Sequence, residues 1–241
     1  MVMVVEPGGG AKLGQIPAGK AEANLTQSTY DITLSPEGRA AIQAKATVSG
    51  LNAPDYRRSF QQADGAREKY EQGWARAFPG IKVLDLKTSD LNALEKDVEL
   101  TFSMDAPTWG EREGETLSFT PFGQGASYVE SYSPLSARTF DLVLPFPWTN
   151  RFTYKIALPA GAKAELPKPV DVRSPFGAVK LAYKLDGAST VVAEGEVMMG
   201  TSRVKAGDYP AFRTFMGQID QALGRRVKVS GAAAGPQTSA R

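Results

Sequence analysis

Residues 28–48 read STYDITLSPEGRAAIQAKATV, and the fold class follows from them. Ser28, Tyr30, Ile32 and Leu34 alternate with Thr29, Asp31 and Thr33, the two-residue period of a strand with one dry and one wet face. Ser35-Pro36-Glu37-Gly38 is a turn, because proline presets the backbone at the second position and glycine suits the fourth. Ala40, Ile42, Ala44, Ala46 and Val48 then carry the apolar face back. A hairpin with one apolar face belongs to an antiparallel sheet covered on one side.

Working outward, the same period recurs. Ile81–Leu86 reads as a strand, and Val98, Leu100, Phe102 and Met104 alternate with polar neighbours. Thr116–Thr120 adds a short strand; Phe140, Leu142 and Leu144 fit another that Pro145-Phe146-Pro147 stops. Phe152, Tyr154, Ile156 and Leu158 alternate with Arg151, Thr153 and Lys155. After a proline-rich corner at Pro167 and Pro169, two strands flank Asp186-Gly187, a preferred hairpin turn, with Glu194 and Glu196 on the outer face. Arg225–Val229 closes the series.

Two segments break to a helical period. Between Ala53 and Phe78, Tyr56, Phe60, Ala63, Arg67, Tyr70 and Trp74 recur every three or four residues, one stripe down a helix or two stacked short helices, interrupted at Asp64-Gly65, with Asp64 a candidate cap. Near 208–223, Phe212, Phe215, Met216, Ile219 and Leu223 form one apolar stripe, with Asp208 expected to cap its start and Gly224 its end. The expected fold is therefore α+β: mostly antiparallel β-sheet, as a sandwich or meander, with a helical segment near 53–78 and a C-terminal helix near 208–223. The expected units are a strand and linker (1–19), an α+β unit (20–121), a β-meander with its helix (122–230) and a disordered small-residue tail (231–241).

Composition excludes more than it suggests. The chain has no cysteine and no histidine, which removes thiol nucleophiles, Ser-His-Asp relays, disulfides and His- or Cys-ligated metals. Lys+Arg 28 against Asp+Glu 26 gives a net charge of +2, too small for a nucleic-acid footprint. The pairs Arg57-Arg58 and Arg225-Arg226 read as solvated surface. Met1–Val5 is too short an apolar run for a signal peptide or membrane span, so any export signal is expected upstream of Met1.

What remains is carboxylate chemistry, Ser-Lys chemistry or none. Glu111-Arg112-Glu113-Gly114-Glu115 is the densest acidic run, but glutamates alternating about a glycine are ordinary dress for an exposed hairpin. Gly8-Gly9-Gly10-Ala11-Lys12 lacks the spacing of a phosphate loop, and Ser133 and Lys163 make no Ser-x-x-Lys. No catalytic, cofactor-binding or metal residue is therefore assigned, and no enzyme is expected. Aromatics crowd the stretch from Trp109 to Trp148, and Trp109, Tyr128, Tyr132 and Trp148 are the candidate binding surface. Exposed, such rings stack on sugars or anchor partners; buried, they cap the ends of a core, the commoner fate.

Several short motifs carry a family resemblance. Ala75-Arg-Ala-Phe-Pro-Gly80, Ser89-Asp-Leu-Asn-Ala-Leu94, Ile156-Ala-Leu-Pro-Ala-Gly161, Leu166-Pro-Lys-Pro-Val170, Ser174-Pro-Phe-Gly177 and Tyr209-Pro-Ala-Phe-Arg213 resemble the region after the catalytic core in exported bacterial transglutaminase-like proteins. Val2–Val5 with Pro7-Gly8-Gly9 looks like the segment leaving that core. The resemblance covers roughly residues 1–230, but the family's nucleophilic Cys and its His have no counterpart, so no catalytic residue carries over. It implies a periplasmic or cell-surface accessory domain, a structural or interaction module whose partner is a transglutaminase-like or cysteine-peptidase-like core. The alternative is a stand-alone carbohydrate- or cell-envelope-binding β-module, and a carboxylate-based hydrolase is the outsider.

Overall fold

The computed structural model describes residues 2–14, 19–61, 65–75, 77–122 and 127–231. The N-terminal part holds β1 (Val2–Val5), β2 (Ala11–Gly14), β3 (Leu25–Leu34), β4 (Ala40–Val48), α1 (Ala53–Phe60), α2 (Ala66–Ala75), β5 (Lys82–Thr88) and β6 (Val98–Ala106). A small hairpin follows, β7 (Glu111–Glu113) and β8 (Thr116–Phe119), then α3 (Tyr128–Tyr132), β9 (Leu142–Val143), β10 (Trp148–Ala157) and β11 (Lys163–Glu165). The chain ends with β12 (Val170–Ser174), β13 (Gly177–Asp186), β14 (Thr190–Met199), β15 (Arg203–Val204), α4 (Tyr209–Leu223) and β16 (Val227–Ser230).

One eight-stranded sheet organises the fold, in the order β12-β13-β14-β10-β3-β4-β6-β5. Every neighbouring pair in it is antiparallel except β10 with β3, which run parallel with Tyr154 opposite Tyr30 and Ile156 opposite Ile32. That register lines up one apolar row after another. Ala193, Tyr154, Tyr30, Ala44 and Phe102 sit side by side across five strands on the inner face. Their polar neighbours share the opposite face, where Arg151–Glu196, Lys184–Glu194 and Lys45–Glu99 pair across strands.

Three covers bury the inner face. α1 and α2 lay Tyr56, Phe60, Tyr70 and Trp74 on the β3–β4–β6 side. A second sheet, β11-β16-β8-β7, contributes Leu117, Phe119, Val227 and Val229 to the same core. α4 covers β12–β14 with Phe212, Phe215, Met216, Ile219 and Leu223, against Leu181 and the partly buried Tyr183. The α+β fold with mostly antiparallel sheet and a C-terminal helix is thus present.

Several local expectations need correction. Residues 11–14, read as linker, form β2 and pair with β1. The 53–78 stripe takes the form of two short helices, one of the two forms expected, but the phase shifts between them, so that Ala66 is buried and Arg67 exposed, and Phe78 packs from beyond the helix end. Ala63 and Asp64 lie outside the described residues. Asp208 stands at the start of α4 but makes no side-chain cap bond, because a 3-10 turn at Ala206–Asp208 already winds into the helix. Gly224 ends it with φ −75°, not in the left-handed region. Phe140 is 80% exposed and outside any strand; only Leu142–Val143 pair, with β15. A short strand, β11, precedes the proline-rich corner, which leads into β12. Arg57 is 9% exposed and donates to the carbonyls of Leu91 (2.9 Å) and Lys96, pinning the loop between β5 and β6, while Arg58 stays on the surface. Residues 232–241 lie outside the described residues.

Strands from both sides of residue 121 enter the large sheet, with β10 between β14 and β3. Asn24 reinforces that junction. Its side-chain amide donates to the Pro147 carbonyl (2.7 Å) and accepts from Leu51 N–H (2.8 Å), while its own carbonyl takes the Thr149 N–H (3.0 Å).

Candidate functional site

The four aromatic candidates divide. Tyr128 and Tyr132 lie one turn apart on α3, ring centroids 5.8 Å apart, and both approach Trp148 at the start of β10, at 6.3 and 5.8 Å. The five-residue helix is too short to hold itself. It is fixed from outside by Asp220 of α4, whose carboxylate accepts from Tyr128 N–H (2.6 Å), Val129 N–H (3.1 Å) and Ser127 Oγ (3.2 Å). Ser127 in turn caps Glu130 N–H at 3.1 Å. Trp148 is buried, and the two tyrosines are half-buried, with burial raising both hydroxyl pKa values.

Trp109 is elsewhere. It stacks on Phe78 at 4.4 Å inside the main core and is 1% exposed, so its place in a surface cluster is corrected. The hairpin constraint explains this: Gly110 donates to the Gly38 carbonyl (2.8 Å), clamping the chain so that the preceding side chain turns inward. A Cβ on Gly38, whose φ is +93°, would lie 2.3 Å from the Gly110 carbonyl oxygen. Stacking on a sugar needs an exposed ring face, and neither tryptophan of the quartet supplies one.

The acidic run forms the β7–β8 hairpin, turning at Gly114, and Glu111 accepts from Arg226 at 2.6 Å. Among the described residues no group of three or more Asp or Glu is placed to hold a metal ion.

Three other surface features stand out, and the sequence signalled them only faintly. The β1–β2 ribbon exposes Met3, Val4, Val5 and Leu13. A groove of about 410 Å³ lies between residues 65–68 and β5. The polar face of the large sheet carries shallow grooves of about 520 and 540 Å³, whose charges are largely matched across strands. Among the described residues no helix is long and apolar enough to cross a membrane.

Residues 116–229 match the model of a family described as a domain of unknown function with a solved structure (DUF3858). The match covers just under half of the chain and runs from β8 to β16, which pair with each other in the smaller sheet. Among solved structures, a "putative protease" from Parabacteroides distasonis is similar at 18% identity with a TM-score of 0.38. That similarity covers 44% of this chain and 21% of the other, so the chain spans about a fifth of that protein's length. No curated protein matches.

Proposed function

We propose that this chain is a non-catalytic structural or interaction module that accompanies a transglutaminase-like or cysteine-peptidase-like core in an exported bacterial protein, at the periplasm or cell surface. The observation that carries the reading is the β1–β2 ribbon. Among the described residues these four-residue strands pair only with each other, and an isolated pair of that length is marginal in water. This ribbon also exposes Met3, Val4, Val5 and Leu13, apolar side chains that a covering surface would desolvate. By the motif resemblance the ribbon corresponds to the segment that leaves the catalytic core in transglutaminase-like proteins, which makes that core the cover. A chain with neither cysteine nor histidine supplies no nucleophile or base of that core's kind.

The test adds a purified transglutaminase-like core to the full chain and follows hydrogen exchange. Amides of β1 and β2 should exchange fast alone and slow with the core, and Val4→Asp should abolish the slowing. A ribbon equally protected without the core, or unprotected with it, would overturn the proposal. Incubation of the chain alone with a glutamine-donor peptide and an amine, or with casein, should give no turnover above blank.

A further inference from the structure

The two edges of the large sheet are finished differently. β12 is five residues long, lies between Pro169 and Pro175, and carries the Asp171–Arg173 ion pair. Short strands, flanking prolines and charges are ordinary ways to keep an edge from recruiting another strand. β5 also carries an ion pair, Asp85–Lys87, and its register on β6 shifts between Val83 and Asp85, but it is seven residues long without a proline, and β6 is its one strand neighbour among the described residues.

The direction of its main chain can be worked out. Ser89 N–H donates to the Glu99 carbonyl across the ladder, so by strand alternation the N–H and C=O groups of Leu86 and Thr88 point to the free side. At the strand's start that free side is already in use. The Glu71 carboxylate of α2 accepts from Val83 N–H and from Lys82 Nζ, both at 2.9 Å, standing where a neighbouring strand's carbonyl would stand. Farther along, between residues 65–68 and Leu84–Thr88, the groove of about 410 Å³ is open among the described residues. Its apolar wall is Phe60, Leu86 and Leu84, the last 61% exposed. Its charges are matched within the protein, Arg67 with Glu68 at 3.3 Å and Asp85 with Lys87 at 3.0 Å. A charged occupant therefore finds no unmatched partner there. An uncharged strand with apolar side chains at alternate positions would satisfy both the open main chain and the apolar wall.

We infer that the groove between α2 and β5 takes an extended, uncharged peptide segment as a ninth strand. Main-chain hydrogen bonds to Leu86 and Thr88 hold it, with an apolar side chain against Leu84 and Phe60. This surface is distinct from the β1–β2 ribbon, and the inference stands independently of what that ribbon docks on.

The experiment uses the full chain and a fluorescent peptide, acetyl-(Thr-Val)₃-Thr-amide with one terminal lysine for solubility, read by polarisation and by hydrogen exchange. Saturable binding with slowed exchange at the Leu86 and Thr88 amides is expected. The fully N-methylated peptide, which has no main-chain N–H to donate, should bind at least about tenfold more weakly. Leu84→Lys changes an exposed side chain, should melt like the parent, and should weaken the peptide by about tenfold through the lost apolar contact and an unmatched charge. No saturable binding at millimolar peptide, equal binding of the N-methylated peptide, or unchanged exchange at Leu86 and Thr88 would overturn the inference. So would a concentration-dependent dimer in sedimentation that the peptide does not dissociate, since a second copy would then own the edge.

Discussion

Asp220 belongs to α4, yet its carboxylate closes the start of α3, taking two backbone N–H groups and the Ser127 hydroxyl. Asp220→Ala leaves those donors without an acceptor, at a cost of about 1–3 kcal/mol. Exchange at the Val129 and Glu130 amides should accelerate before the sheet melts; if both amides stay as protected as in the parent, α3 does not depend on this residue. In the other core, Tyr30 stacks on Tyr154 at 4.3 Å. Burial pushes its hydroxyl from 10.0 up to about 12, offset in part by hydrogen bonds with Ser28 and Tyr154. The phenolate forms more readily in the unfolded chain, so this group's contribution is full below pH 10.0 and is lost as pH rises towards about 12. Tyr30→Phe keeps the ring and should flatten that alkaline loss in urea melts compared across the window. An equally steep fall would assign it to other tyrosines, such as Tyr183, which burial also raises to about 12. Arg57 shows where residue type misleads: a basic pair reads as surface, but only tertiary placement decides that one guanidinium finds two loop carbonyls and the other an exposed pairing with Asp55.

At the scale of elements, α4 is the clearest case of pattern meeting packing. Its five-residue stripe is periodic in the sequence, and all five side chains are buried against β12–β14. Phe215 is 2% exposed, so Phe215→Ala should destabilise the chain by roughly 3–5 kcal/mol. Gln218→Ala on the exposed face should cost well under about 1 kcal/mol. Urea melts followed by circular dichroism compare the two, and a Phe215→Ala variant as stable as the parent would mean the helix does not cover the sheet. The β10–β14 ladder is tuned by a glycine. Gly195 lies opposite Phe152, and a Cβ there would sit 2.0 Å from the ring. Gly195→Ala should therefore cost about 1–3 kcal/mol through forced displacement of that ring, and Phe152→Leu should recover part of it. A double variant no better than Gly195→Ala alone would show that the ring is not the obstacle. By contrast β9, β11 and β15 are two or three residues long, too short for any period to announce them.

For the whole molecule, the parallel pairing of β10 with β3 matters most, because it joins the stretch before residue 121 to the stretch after it in one sheet. Proteolysis that cuts near 121–127 should leave the nicked pieces associated, and residues 20–121 produced alone should lack a cooperative melt, since β3 would lose the partner that buries its flank. Two fragments that separate and each melt cooperatively would instead support the expected division into an α+β unit and a meander. The sequence by itself determined the strands of the two long hairpins, the apolar stripe of α4 and the absence of thiol and imidazole chemistry, because each is a property of residue type or of a period of two or 3.6. Only the tertiary structure decided that Trp109 is core while Tyr128, Tyr132 and Trp148 gather at a separate corner, that β1 and β2 form an uncovered ribbon, and that β5 ends the sheet beside a groove. The physical reason is that strand order, unlike strand period, depends on which distant residues come to lie side by side. A sequence shows which face of a strand is apolar, but which strand is left at the edge is settled only when all the others have paired.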